Sequence, residues 1–122
     1  MALELDDALT AYGQAWVETD RERRLAILET CWSETGRYLD PNGSAQGRTE
    51  LADLIGSFHQ QMPGARIELA SRASAHHARI YFHWKMVTAE GQTALEGVDF
   101  GTLAEDGRID EIVGFFGPPP NP

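Results

Sequence analysis

The 122-residue chain has the length of one domain and enough residues for a hydrophobic core without disulfides. Its 10 basic and 19 acidic side chains give a net charge of −9, which argues against a nucleic acid or an anionic membrane as partner. Cys31 is the only cysteine, so no disulfide can form within the chain, and a reducing, cytoplasmic location is the expectation. Residues 1–7 lack the basic and apolar segments of a secretory leader, and no apolar run approaches the length of a membrane span.

Residues 3–18 read as an amphipathic helix, with Leu5, Leu9, Tyr12 and Trp16 at three- and four-residue steps. Asp6 and Asp7 suit its N-terminus. Asp20 can cap a second helix from Arg21 to about Cys31, with Leu25 and Leu28 facing inward. Arg37-Tyr38-Leu39 reads as a short strand, closed by the turn chemistry of Asp40-Pro41-Asn42-Gly43. A third helix follows Gly47, with Thr49 as the expected N-cap. Its apolar set is Leu51, Leu54, Ile55, Phe58 and Met62, and Pro63-Gly64 ends it. Four strands follow, at 66–75, 78–89, 93–103 and 108–116. Short turn signals separate them, and His76-His77 lie in the first. These strands predict an antiparallel meander with helices on one face, an α+β domain over residues 1–117. Residues 118–122 form a proline-rich tail.

Asp99 interrupts an apolar strand. Strands disfavour aspartate, and a carboxylate among apolar neighbours is costly unless protonated or hydrogen-bonded. Alternation places Leu95, Gly97, Asp99, Gly101 and Leu103 on one face, with glycines leaving room beside the acid. Ile112, Gly114 and Phe116 share a face of the last strand. Tyr12 and Trp16 lie one turn apart on the inner face of the first helix. Each residue also has a structural reading: Tyr12 and Trp16 as plain core, Asp40 as a turn former, and Asp99 as a surface or interface acid. His76 and His77 are adjacent, so on a strand they would point apart and make a poor metal pair. His59, one turn after Ile55, could reach the rim of a cavity. Ile80, Phe82, Trp84 and Met86 form the apolar face of their strand, which would turn His83 outward, unless both faces of the sheet are apolar. No spacing supports a metal site, a nucleotide loop or a nucleophile–histidine–acid arrangement.

The order of elements, Tyr38-Leu39-Asp40-Pro41, Gly47-Arg48, and Asp106-Gly107-Arg108-Ile109 before Gly114-Phe115-Phe116 resemble the SnoaL-like branch of the NTF2-like superfamily. The resemblance covers nearly the whole chain. It implies a cystatin-like cone in which three N-terminal helices pack on a curved, mainly antiparallel sheet. Within the superfamily, the pattern is similar to ketosteroid isomerase, which implies Asp40 as general base and Asp99 with Tyr12 as hydrogen-bond donors to an enolate oxygen. The tyrosines that support the donor in that enzyme correspond to Trp32 and Ile55 here. The resemblance also implies a homodimer with sheet packed on sheet. The expected function is cofactor-free proton transfer next to a carbonyl, of isomerase or polyketide-cyclase type, on an apolar cyclic substrate. Trp16, Trp32, Phe58, His59, Met62, His83 and Phe116 are the expected substrate-binding residues. The alternatives are a hydrophobic-ligand-binding or dimerisation domain without catalysis, and a member of epoxide-hydrolase or dehydratase type.

Overall fold

In the computed structural model, which describes residues 2–122, the elements follow in the order α1 (Leu5–Val17), α2 (Arg21–Cys31), β1 (Trp32–Asp40), β2 (Gly43–Gln46), α3 (Gly47–Gln61), β3 (Arg66–Leu69), β4 (Ser74–His76), β5 (Arg79–Val87), β6 (Thr93–Leu103) and β7 (Ile109–Phe116). The strands form one sheet in the order β2-β1-β7-β6-β5-β3, with β4 also pairing with β5. All pairings are antiparallel except β1 with β7. The three helices lie on one face of this curved sheet and close a cone.

Local signals set most of these elements. Asp20 caps α2 through a 3.0 Å bond from the Arg23 amide. At α3 the expected Thr49 cap gives way to Gln46, because Gly47 turns the chain with a positive φ of 80°. Glu50 then reaches back to accept from the Gln46 amide at 3.0 Å, as in the reciprocal half of a capping box. The strand expected at 66–75 is two short strands, β3 and β4, and β1 is much longer than Arg37–Leu39. Asn42-Gly43 opens a further strand, β2, which the turn signal concealed. His77 and Ala78 make the tight turn into β5 with φ of 50° and 60°. That turn brings the His76 and His77 rings together, with Nδ1 atoms 3.0 Å apart, instead of letting them diverge.

The core sits between the helices and the concave face of the sheet. Tyr12, Leu28, Trp32, Leu51, Ile55, Phe82, Ile109 and Ile112 are buried there. Fully burying side chains of this size contributes about 1.5–3 kcal/mol each. Arg24 is buried without a carboxylate partner. Its guanidinium instead donates to the carbonyls of Glu18 (3.0 and 2.8 Å) and Ala52 (2.9 Å), which pins α2 to the end of α1 and to α3. Gly56 leaves room for it, since a Cβ there would stand 3.2 Å from Arg24 Nη1. No helix among the described residues is long and apolar enough to cross a membrane.

Candidate active site

The wide end of the cone holds a cavity of about 370 Å³, within the range of small-molecule sites. Its walls are mostly apolar. Trp16 and Phe58 meet edge to face at 6.0 Å, and Trp84 and Phe116 do so at 5.6 Å. Met62, Leu54 and Met86 complete the walls, while Asn42, Ser57 and Gln61 add polar groups.

Asp40 and Asp99 both line this cavity, together with Tyr12. Strand register explains how residues so distant in sequence meet. Asp99 on β6 pairs with Gly114 on β7, and Leu39 on β1 pairs with Val113, so the end of β1 lies beside Gly114. A Cβ added at Gly114 would sit 2.9 Å from Asp99 Oδ1 and 3.6 Å from Asp40 Cβ. The two acids therefore flank the backbone of one intervening strand, their Cα atoms about 10 Å apart by strand spacing. Gly114 is the empty seat between them.

The two acids have different surroundings. Asp40 is half-buried and held at both oxygens. Oδ1 accepts from the amides of Asn42 (2.7 Å) and Gly43 (3.0 Å), and Oδ2 accepts from the Tyr38 hydroxyl at 2.7 Å. The turn role and the cavity role thus coexist in one carboxylate. Pro41, with its fixed φ, shapes the turn that presents those amides. Asp99 is 6% exposed and accepts no hydrogen bond of full geometry. Burial pushes its carboxyl up to about 7, the Asp40 charge adds to the rise, and the nearby Trp84 indole N–H partly offsets it. The Trp84 Nε1 faces Asp99 without completing that bond.

Tyr12 stacks on Trp32 at 5.7 Å and meets Phe82 edge-on at 6.4 Å. Its hydroxyl is buried and has no protein partner. Burial and then the charge of Asp99 raise it well above the usual phenol range, so it keeps its proton and remains a donor. Tyr38 is raised too, chiefly by burial, and likewise keeps the proton it donates to Asp40.

Of the ten residues singled out from the sequence, Tyr12, Trp16, Asp40, Phe58, Met62, Asp99 and Phe116 line the cavity. Three do not. Trp32 is fully buried behind Tyr12, folded onto Gly36, where a Cβ would come within 2.6 Å of its Nε1. His59 turns away from the cavity and donates from Nε2 to the Trp16 carbonyl at 2.8 Å, closing the end of α1. His83 lies on the convex face, bonded to the Tyr81 hydroxyl at 3.0 Å, because it alternates outward with Arg79 and Tyr81 along β5. Tyr38 and Trp84 are among the cavity residues that sequence reasoning left out, and they are the two that stand beside the acids. The signal for Tyr38 was present, since it stands two residues before Asp40 on the same strand face. Among the described residues, no group of three or more potential ligands could hold a metal ion. Cys31 is buried, which pushes its thiol up to about 12 and leaves it unreactive.

A cone of three helices on a curved sheet, with acids inside an apolar cavity, defines an α+β domain of cystatin-like or NTF2-like fold. Residues 12–112 match the SnoaL-like domain, and the chain belongs to that family. A candidate isomerase of the SnoaL-like family from Agrobacterium tumefaciens str. C58 is 32% identical, with a TM-score of 0.86 over 93% of this chain and 97% of that one. A cystatin-like protein of unknown function from Methylobium petroleophilum PM1 shares the fold at 16% identity, with a TM-score of 0.73 over 99% and 82% of the two chains. A candidate SnoaL-like polyketide cyclase from Jannaschia sp. CCS1 shares it at 12% identity, with a TM-score of 0.67 over 95% and 89%. No curated protein matches the chain.

Proposed function

We propose that this protein is an enzyme that moves a proton next to a carbonyl of an apolar cyclic substrate, without a cofactor. The observation that carries the reading is the convergence of Asp40, Asp99 and Tyr12 on one mostly apolar cavity. The Asp40 carboxylate removes the α-proton as general base and returns it as general acid. The neutral Asp99 carboxyl and the Tyr12 hydroxyl donate to the oxygen on which enolate charge develops, in surroundings that exclude water. This division of labour, a base aspartate beside a protonated aspartate and a tyrosine, is the established ketosteroid isomerase pattern. The 32%-identical candidate isomerase supports the same class.

Tyr38 takes a place here that the tyrosine-poor correspondence at Trp32 and Ile55 left unfilled. It supports the base instead of the donor. Three hydrogen bonds hold the Asp40 carboxylate in place. A carboxylate pinned in this way suits proton removal and return over a short span, as in a cyclase or a single-centre isomerase.

Deuterium exchange at the α-carbons of a panel of cyclic ketones, followed by NMR, tests the reading. Wild type should exchange a subset of the panel, and Asp40→Asn should lose at least two orders of magnitude in rate, the scale of general-base catalysis. Equal rates in the two proteins would remove Asp40 as the base and leave the cavity as a ligand-binding site.

The homodimer is proposed on a separate observation. The convex face of the sheet exposes Tyr81, Phe100 and Phe115, at 44%, 46% and 58%, with Tyr81 and Phe100 paired across β5 and β6. Val98 joins them beside Phe115. A second copy of this face would cover these side chains.

A further inference from the structure

We infer that Trp84 is a positioning residue for Asp99: its indole N–H engages one carboxyl oxygen, Oδ2, and so keeps the acid's proton on the other, Oδ1, on the side of Asp40. The pairing stands on the structure alone, and its use in turnover rests on the proposed function.

Strand register sets the carboxyl between two neighbours. Asp99 pairs with Gly114 of β7 on one side and with Phe82 of β5 on the other. Its Oδ1 lies on the β7 side, 2.9 Å from the place that a Gly114 Cβ would take, and Asp40 Cβ lies 3.6 Å from that same place. Trp84 comes from the β5 side, two residues beyond Phe82 on the same face. Oδ2 is thus the oxygen left for the indole.

Trp84 is held in this place. It pairs with Gly97 of β6, which pairs in turn with Phe116 of β7. The two rings meet above the glycine at 5.6 Å and 82°. A Cβ at Gly97 would come within 2.2 Å of Trp84 Cζ2 and 2.5 Å of Cε2, the carbon that carries Nε1. Gly97 is therefore the floor on which the indole lies, two residues from Asp99 on the same face of β6.

Trp84 Nε1 is closed off from solvent and has no other protein partner, while Asp99 faces it from an equally dry place. A buried donor without an acceptor is costly, and each group supplies what the other lacks. An indole N–H can only donate. Against a neutral carboxyl it takes the carbonyl oxygen and leaves the hydroxyl on the opposite side. The proton then lies toward the Gly114 seat, which Asp40 also flanks. Donor and base are presented to the same ligand.

The test follows the Trp84 indole ¹H–¹⁵N signal of the ligand-free protein as pH rises from about 5 to about 9. A carboxylate is a stronger acceptor than a neutral carboxyl, so the signal should move downfield with a midpoint near 7. Asp40 and Tyr38 from β1 and Tyr12 from α1 are the titratable groups that face Asp99, and both tyrosines keep their protons over this range. The shift should therefore survive in Asp40→Asn, at a lower midpoint because a neighbouring charge is gone, and vanish in Asp99→Asn. In Trp84→Phe, the ¹³Cγ signal of Asp99 should titrate about one pH unit higher, since the lost N–H favoured the charged form. Exchange of α-protons should lose roughly threefold to tenfold in kcat near pH 6, the worth of one hydrogen bond, with KM little changed. Its alkaline limb should move up with the carboxyl. An indole signal that stays flat, or that still titrates in Asp99→Asn, overturns the inference. So does an Asp99 midpoint unmoved in Trp84→Phe, or an unchanged kcat. The wild-type titration does not depend on any variant folding. A wild type that exchanges no ketone while its indole titrates as described defeats the proposed function and leaves the pairing standing.

Discussion

Replacing Asp99 with asparagine gives the most direct physical test of the site. In the folded protein the Asp99 carboxyl titrates near 7, against 3.8 for an unburied aspartate, and the first cause is burial. The folded state therefore holds this proton more tightly than the unfolded chain. The associated stability is fully present below pH 4 and is lost as pH rises through about 7. A shift of about three pH units at 1.36 kcal/mol per unit amounts to ~4 kcal/mol. Asparagine has nearly the same shape and cannot ionise. Asp99→Asn should match wild type within about 1 kcal/mol near pH 3.5 and exceed it by several kcal/mol at pH 8, up to the ~4 kcal/mol limit. Urea denaturation at half-unit pH steps gives both curves, and their difference isolates this one group from every other acid in the chain. The difference should steepen between pH 4 and 7 and flatten above. A difference that stays constant across that range would refute the account of Asp99 as a buried, neutral acid, and with it the donor role. Under the proposed mechanism, kcat/KM of wild type should fall about tenfold per pH unit above 7 as the donor is lost.

Three further outcomes follow from the same geometry. Gly114→Ala places a methyl 2.9 Å from Asp99 Oδ1 and close to Asp40; it should cost about 1–3 kcal/mol in denaturant unfolding, as overpacking does, and disrupt α-proton exchange. Tyr38→Phe removes the 2.7 Å bond to Asp40; exchange kinetics should show a lower kcat with little change in KM, a split that damage to the cavity wall would not produce. Phe115→Glu puts a charge on the exposed aromatic face; sedimentation should find a dimer in wild type and a monomer in the variant, and a wild-type monomer would end the dimer proposal.

Much of this arrangement was legible because it is local. Three- and four-residue steps fixed the inner faces of α1 and α3, and Asp20 marked the start of α2. Period-two alternation in β5 put Phe82 inside and Tyr81 outside, and it set Asp99 and Phe100 on opposite faces of β6; His83, counted with the cavity, was turned outward by the structure. Asp99 stood out for an energetic reason, since a lone acid on an apolar strand face demands an explanation that the strand alone cannot give.

The sequence by itself thus indicated the three helices, most of the strands, the inner helix faces and the one acid whose burial would be costly, because periodicity and burial cost act over a few residues. Only the tertiary structure decided which residues meet. The parallel placement of β1 beside β7 brings Asp40 to Gly114 and, across it, to Asp99, through a pairing of strands some seventy residues apart. Side-chain partners were decided there as well. His59 went to the Trp16 carbonyl, Trp32 went behind Tyr12, and Tyr38 reached Asp40. Such choices depend on distances between elements, and no local pattern in the chain encodes them.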